Sequence, residues 1–173
     1  SCVEHLVTLG HRHIGLIIHS EAHLRLGYGP AVRSVSSFEQ AVRDWNIEGL
    51  VHLCEPTPQA GYRTTQALIA EHPSLSAIIN ASGITISGMV QAINDAGLRI
   101  PDDFSVVAVA SRQMTGLATM TLTAVDFPAI DMGKLGTEML IQQLEGTLEQ
   151  PRQVLLNPGL TLRQTTGPYK HSV

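Results

Sequence analysis

Short apolar segments recur along this chain, and each is followed by a longer stretch with helical spacing of its apolar residues. A strand that is covered on both faces reads as a continuous apolar run rather than an alternating one. Strands of this kind are predicted over residues 14–18, 49–53, 77–79 and 105–109. Strands that alternate with helices over short connections predict an α/β fold: a parallel sheet flanked by helices on both faces.

Capping residues indicate where the predicted helices begin and end. Gly10 ends the first helix, because glycine readily takes the positive φ of a C-terminal cap. A long helix is predicted from about Leu26 to Asp44, and Gly29-Pro30 could mark its true start because proline suits a first helical turn. Two further helices are predicted over residues 59–71 and 85–96.

The C-terminal part departs from this alternation. A short strand is predicted over residues 122–125 and a helix over 128–144, with apolar side chains on roughly one face of the helix. Residues 154–156 and 160–162 are predicted to pair as a closing hairpin around a turn. The polar tail from Thr165 is predicted to be loose.

Composition narrows the classes of function. The chain has 173 residues, of which 43% are hydrophobic and 15% charged, which is typical of a globular domain. The net charge is -4 without a run of Lys or Arg, so the chain itself lacks the basic face that binds nucleic acid. Apolar runs such as residues 106–110 are too short to cross a bilayer, and Cys2 and Cys54 lie outside any motif, as expected of a reduced cytoplasmic chain.

Motifs for metals, cofactors or catalysis are incomplete. His5, His11 and His13 lie close in sequence, but no thiol or carboxylate is placed to complete a zinc site. Residues 27–32 begin like a dinucleotide-binding fingerprint, but Val32 replaces its third glycine. No Gly-x-Ser-x-Gly segment occurs. We therefore expect no metal, no cofactor and no enzymatic activity.

Polar residues follow the carboxyl ends of the predicted strands, which is where open parallel sheets bind ligands. The segments at these ends are 19–20, 54–55, 80–83 and 110–112. Arg25 follows the first of them, and its guanidinium could donate hydrogen bonds to ligand hydroxyls or to a carboxylate. On the residues alone, a surface ion pair with Glu21 is an equal alternative.

Several motifs, taken in order along the chain, resemble the lactose-repressor/galactose-repressor family of bacterial transcription regulators. They are the Gly-His-Arg-His-Ile entry within residues 3–14, the arginine-containing loop 23–27, the Gly-x-x-Ile-Pro-x-Asp-Phe-Ser-Val-Val segment 97–107, and segments 122–125, 132–133 and 160–163. Together they cover nearly the whole chain.

The resemblance implies a two-lobed sensor with a type I periplasmic-binding-protein-like fold. Residues 1–124 and 154–165 would form its second lobe. Residues 125–150 would contain the hinge crossing and a helix that belongs to a first lobe missing from this chain, and residues 166–173 a loose tail.

The implied function is the sensing of a small metabolite, such as a sugar-like effector, by a cytoplasmic repressor. Effector binding would regulate operator DNA allosterically, through a DNA-binding domain that is absent from this chain. No membrane partner and no catalysis are implied. The alternative with the same fold is a periplasmic solute-binding protein that supplies a transporter.

The resemblance also implies effector-binding positions. They are Arg25, His19, Ser20, Ser82 and Ala110, and among them Arg25 matches the family's effector-contacting arginine. Two family positions differ, because Ser82-Gly83 stands where the family has Asn-Asp and Ala110 where it has Asp. Each lost hydrogen-bonding group should cost about 1–3 kcal/mol. We therefore do not expect an ordinary hexose bound in the usual pose.

Finally, the resemblance implies a homodimer formed through helix 85–96 and segment 111–120. Candidate interface residues are Ile84, Met89, Val90, Met114 and Leu117. Any of these apolar side chains could instead belong to the core of the chain.

Overall fold

The helices and strands are given by a computed structural model that describes residues 2–110, 121–147, 150 and 152–170. The strands are β1 (His13–Ile18), β2 (Glu48–Leu53), β3 (Ala77–Asn80), β4 (Ser105–Ala110), β5 (Thr123–Asp126) and β6 (Gly159–Thr161). The helices are α1 (Cys2–Thr8), α2 (Glu21–Arg25), α3 (Gly29–Trp45), α4 (Pro58–Glu71), α5 (Ile86–Asp95) and α6 (Ala129–Leu144). A 3-10 turn covers Gly83–Thr85.

The strands form one six-stranded sheet in the order β2-β1-β3-β4-β5-β6. Strands β1 to β5 run parallel, and β6 is antiparallel to β5, with Leu160 opposite Val125. The predicted α/β fold with a mainly parallel sheet is confirmed. Strand β6 adds an antiparallel edge that the alternation of strands and helices does not predict.

Side chains of the central strands alternate between two apolar layers. On β1, Leu16 lies in the layer under α1 and α3, and Ile17 lies in the opposite layer with residues of α4 and α5. On β4, Val107 and Val106 divide in the same way. Because successive residues of a strand point to opposite faces, continuous apolar strands need helices on both sides. The predicted cover on both faces is confirmed.

Helices α4 and α5 approach each other through two glycines. A methyl group on Gly88 would overlap the carbonyl oxygen of Pro58 and lie 2.8 Å from the backbone nitrogen of Tyr62. A methyl group on Gly61 would overlap the carbonyl oxygen of Thr85. At these two positions the absence of a side chain sets the distance between the helices.

The predicted hairpin is wrong. Residues 152–158 form no strand, and residues 159–161 pair with β5 instead. The backbone groups at the edge of β5 are already held in place by the sheet, so residues 159–161 can pair with them directly. A separate two-stranded hairpin would have to order both of its own strands.

The tail also differs from its prediction. Thr165 exchanges backbone and side-chain hydrogen bonds with Val106, each 2.7 Å long, and the backbone nitrogen of Tyr169 donates to the carbonyl of Leu9 at 2.8 Å. The polar groups of residues 165–170 thus bond to the ends of β4 and α1, which corrects the prediction of a loose tail. Residues 171–173 lie outside the described residues.

His11 is buried where the tail meets the amino end of the sheet. Its Nε2 lies 3.0 Å from Ser105 Oγ and 3.1 Å from the carbonyl oxygen of Gly167, and its Nδ1 lies 2.8 Å from Ser76 Oγ. Because a carbonyl can only accept, Nε2 carries the proton of the neutral ring and Nδ1 accepts from Ser76. Burial lowers the pKa of His11 below its ordinary value of 6.5.

We expect the free energy of unfolding to fall as the pH drops below the ordinary histidine value of 6.5. The unfolded chain binds the proton more readily than the buried ring, so stability is complete above that pH and is lost below it. Urea unfolding at about pH 7.5 and about pH 5.5 measures the change. Burial also lowers the pKa of His5, His19 and His52, so His11→Asn should flatten the dependence only in part. An unchanged slope in that variant would contradict the assignment.

Candidate ligand site at the carboxyl edge of the sheet

The sheet order brings the predicted site residues to one edge. Strands β2, β1, β3, β4 and β5 are parallel neighbours, so their carboxyl ends lie side by side. The ladder extends one residue further, because Cys54 N donates to the carbonyl of Ile18 (2.9 Å) and Ala81 N to that of Ile17 (2.8 Å). The segments that follow β1 and β3, together with Ala110 at the end of β4, therefore border one another.

The connection after β1 folds back on itself through α2. Gly27, with φ +68°, takes the left-handed conformation that glycine adopts without strain, and the backbone nitrogen of Tyr28 then donates to the carbonyl of His23 at 2.9 Å. Ser20 Oγ lies 2.9 Å from His23 Nδ1. The resemblance implies a loop at residues 23–27, whereas the structure has the end of α2 there. A five-residue helix is too short to show a periodic pattern in the sequence.

The fold of this connection gathers three aromatic rings. The ring centroids of His19 and His23 are 5.3 Å apart, those of His19 and Tyr28 5.3 Å, and those of His23 and Tyr28 5.5 Å. Both contacts with Tyr28 are edge-to-face, which is a favoured arrangement. Burial, reinforced by the neighbouring His23, lowers the pKa of His19. The neutral form of His19 is therefore favoured. We call these three residues the ring cluster.

Arg25 is the last residue of α2, two residues after His23 of the ring cluster. Its side chain is 73% exposed, and its Nε is 3.7 Å from a carboxylate oxygen of Glu21. That separation exceeds a hydrogen bond, and exposed ion pairs of this kind contribute little to stability. The contact with Glu21 that the sequence allowed is thus present as a loose one, and it leaves most of the guanidinium open to a ligand. The effector-binding role of Arg25 stays a prediction.

A buried amide follows β3, and its role escaped the sequence interpretation. Asn80 is fully buried, its Nδ2 donates to Thr85 Oγ1 at 3.0 Å, and its Oδ1 accepts from the backbone nitrogen of Ser82 at 2.8 Å. The hydroxyl of Thr85 donates to the carbonyl of Ser82 at 2.8 Å. The amide is therefore satisfied inside the chain. A polar residue at the end of an apolar strand was the signal available for it.

The five predicted effector-binding residues share the edge but differ in exposure. Arg25 is open and His19 is half-buried, whereas Ser20, Ser82 and Ala110 are 3%, 3% and 4% exposed. The last three thus present almost no side-chain surface to a ligand. Sequence reasoning missed His23 and Tyr28, because the short helix α2 and the turn at Gly27 bring them to the site.

A cleft of about 550 Å³ lies where β5 passes into α6, at the same edge. Asp126 lines it and accepts from Arg163 Nη2 at 2.9 Å and from Thr161 Oγ1 at 3.0 Å. Arg163 also donates to the carbonyl of Leu122. The second carboxylate oxygen of Asp126 is buried without a hydrogen bond among the described residues.

The histidines weighed as metal ligands have other partners. His5 Nε2 lies 3.0 Å from Thr166 Oγ1, and His13 Nδ1 lies 2.8 Å from Glu48 Oε2. Within residues 2–110, 121–147, 150 and 152–170, no group of three or more His, Cys, Asp or Glu is arranged to hold a metal ion. In the same ranges no helix combines the length and apolar character needed to span a bilayer.

The predicted interface residues divide between core and surface. Met89 and Val90 are 0% and 7% exposed and belong to the core layer under α4 and α5, so the interface prediction is corrected for both. Ile84 is 51% exposed. Met114 and Leu117 lie outside the described residues.

A mainly parallel sheet covered on both faces, with ring and charged side chains at its carboxyl edge, places the chain in the α/β class whose ligands bind at that edge. The chain belongs to the family of periplasmic-binding-protein-like domains, because the sequence model of that family matches residues 3–166.

Individual proteins similar to this chain indicate a narrower group within that family. The ribose operon repressor of Halalkalibacterium halodurans is 27% identical over 165 residues, which cover 94% of this chain and 48% of the repressor. A LacI-family transcriptional regulatory protein from Corynebacterium glutamicum is 30% identical, with a TM-score of 0.77 over 96% of this chain and 62% of that one. A lactose repressor bound to the anti-inducer ONPF is 25% identical, with a TM-score of 0.85 over 95% and 60%.

These matches confirm the resemblance to the lactose-repressor/galactose-repressor family, in the region of its periplasmic-binding-protein-like domain. The chain spans about half the length of the curated relatives it matches, 48% in the case of the ribose operon repressor.

Proposed function

We propose that this chain is the effector-sensing part of a bacterial transcription repressor. In this proposal a small metabolite binds at the carboxyl edge of the sheet, and a DNA-binding domain outside this chain binds the operator. The observation that carries the proposal is the match to the lactose repressor fold over 95% of the chain at a TM-score of 0.85. The open arginine and the ring cluster at the expected edge support it.

The proposed mechanism is allosteric and non-catalytic, and it operates in the cytoplasm, where operator DNA is found. An effector that binds one arrangement of the two lobes more tightly shifts the population toward it, and with it the fraction able to hold the operator. The Ser20–His23 hydrogen bond resembles an activated nucleophile. Ser20 is only 3% exposed, however, which keeps a substrate away from its hydroxyl.

Helix α6 supports the proposed division into lobes. No residue of α6 is buried, and the apolar side chains on one face of it include Ile130, Ile141 and Leu144, which are 62%, 47% and 78% exposed. A helix with such a stripe normally packs on a partner element. We assign residues 1–124 and 154–165 to the second lobe, and α6, within 125–150, to the first lobe that this chain lacks.

The proposed repressor acts as a homodimer. Among the interface candidates within the described residues, Ile84 is exposed, in the middle of the turn Gly83–Thr85 that leads into α5. An exposed isoleucine beside a helix is a suitable apolar contact across a two-fold interface.

Thermal-shift screening of the full-length gene product against sugars, nucleosides and small acids tests the proposal. A ligand at about 100 times its Kd should stabilise the native state by about 2.7 kcal/mol and raise the melting temperature. We expect Arg25→Ala to abolish that shift. The matched control is Arg43→Ala, which removes an exposed arginine from the far end of α3 and should leave the shift intact. A full shift in Arg25→Ala would contradict the assigned site.

A further inference from the structure

We infer that the effector contains a planar aromatic ring and an anionic group: the ring stacks on the ring cluster, and the anion binds Arg25. This inference rests on the proposed function, because it names the chemical class of the ligand at the same site. It follows from three properties of the described edge at β1, β3 and β4: an ordered aromatic surface, few groups there that hold hydroxyls, and the open guanidinium of Arg25.

The aromatic surface is fixed before any ligand arrives. The hydrogen bond between Ser20 and His23 orients the ring of His23, the turn at Gly27 holds Tyr28, and the two rings meet edge to face. Tyr28 remains 45% exposed, and His19 is half-buried. A pre-ordered ring surface of this kind favours a flat, unsaturated ligand, because aromatic pairs interact beyond their simple burial of area.

Away from the cleft at Asp126, the described segments that follow β1 and β3, and Ala110 at the end of β4, offer little that could hold several hydroxyl groups. A sugar ring is held by multiple hydrogen bonds to side-chain carboxylates and amides, and each missing one weakens binding. Ser82 and Ala110 are buried, and the amide of Asn80 is engaged with Thr85 and the backbone of Ser82. The described residues beside the ring cluster thus favour a ligand whose binding depends on stacking.

Arg25 supplies the positive charge that would bind the anionic group of the ligand. A guanidinium binds a carboxylate through two parallel hydrogen bonds, a geometry that its loose 3.7 Å contact with Glu21 does not use. A ligand carboxylate would therefore displace Glu21. Removing the charge of Glu21 should then strengthen the binding of an anion, whereas a neutral ligand should be unaffected.

The test is isothermal titration calorimetry on the full-length gene product with six probes: benzoate, indole-3-acetate, cyclohexanecarboxylate, benzamide, ribose and galactose. We expect benzoate or indole-3-acetate to bind more tightly than cyclohexanecarboxylate, which lacks the aromatic ring, and than benzamide, which lacks the charge. Tyr28→Ala should weaken this binding about tenfold. Tyr28→Phe should retain it, and Glu21→Gln should strengthen it. Tyr62→Ala, on α4, is the control for removing a tyrosine.

Two outcomes would overturn the inference. In the first, ribose or galactose binds with a dependence on Arg25 and the aromatic acids do not, which leaves the proposed function standing. In the second, benzoate and cyclohexanecarboxylate bind equally, or no probe binds at all. The broader thermal-shift screen then decides the proposed function separately.

Discussion

Gly88→Ala is expected to destabilise the chain by about 2–3 kcal/mol, although alanine is the better helix former. The added methyl group would overlap the carbonyl oxygen of Pro58 and lie 2.8 Å from the backbone nitrogen of Tyr62. Both neighbours are backbone atoms, so no side-chain rotation can relieve the overlap. Helices α4 and α5 would have to separate and lose part of the packing that buries Met89 and Ile93.

The control for this prediction is Gly133→Ala on α6, where nothing lies within 4 Å of the added methyl group. That change should be neutral or should stabilise by up to about 1 kcal/mol through helix propensity. Urea unfolding of both variants gives the comparison. Equal stabilities would mean that α4 and α5 do not pack as closely as described.

Arg163→Met is expected to cost about 2–3 kcal/mol, somewhat less than the loss of a fully buried ion pair. The change leaves the carboxylate of Asp126 only 13% exposed and without its cation, while its other oxygen already lacks a hydrogen bond among the described residues. It also removes the donor to the carbonyl of Leu122. Methionine keeps the aliphatic length of the side chain, so the loss reports mainly on charge and hydrogen bonds.

Lys170→Met provides the matched control. The ion pair of Lys170 with Asp102 has a similar separation of 3.0 Å, but its side chains are 67% and 50% exposed. Exposed pairs contribute between zero and about 1 kcal/mol. If chemical denaturation finds the same loss for both variants, the partial burial of the Asp126–Arg163 pair does not govern its strength.

The strands were predictable because burial on both faces leaves a direct trace in the sequence. Segments 14–18 and 105–109 are continuous apolar runs, and both became central strands. The edge strand β6 leaves a weaker trace, because its partner β5 is distant in sequence. The short apolar segment 154–156 therefore offered a nearer but wrong partner for it.

The site was predictable in position but not in composition. Strand order places residues 19–20 and 81–82 at the same edge whatever their identity. Local turns decide which side chains face outward, and the spacing of apolar residues along the sequence does not show where such turns occur. The turn at Gly27 brings Tyr28 into the ring cluster, and the side chain of Asn80 turns inward to Thr85. Interface residues are equally hard to predict from sequence. An apolar residue on a helix can lie in the core or on a contact surface, and Met89 lies in the core.

Hydrogen–deuterium exchange of the full-length gene product, with and without a metabolite that raises its melting temperature, tests the central claim most directly. The account predicts slower exchange on binding in residues 19–28 and 81–86, at the carboxyl edge of the sheet. Protection confined to residues 72–76 and 97–104, at the opposite edge, would contradict it.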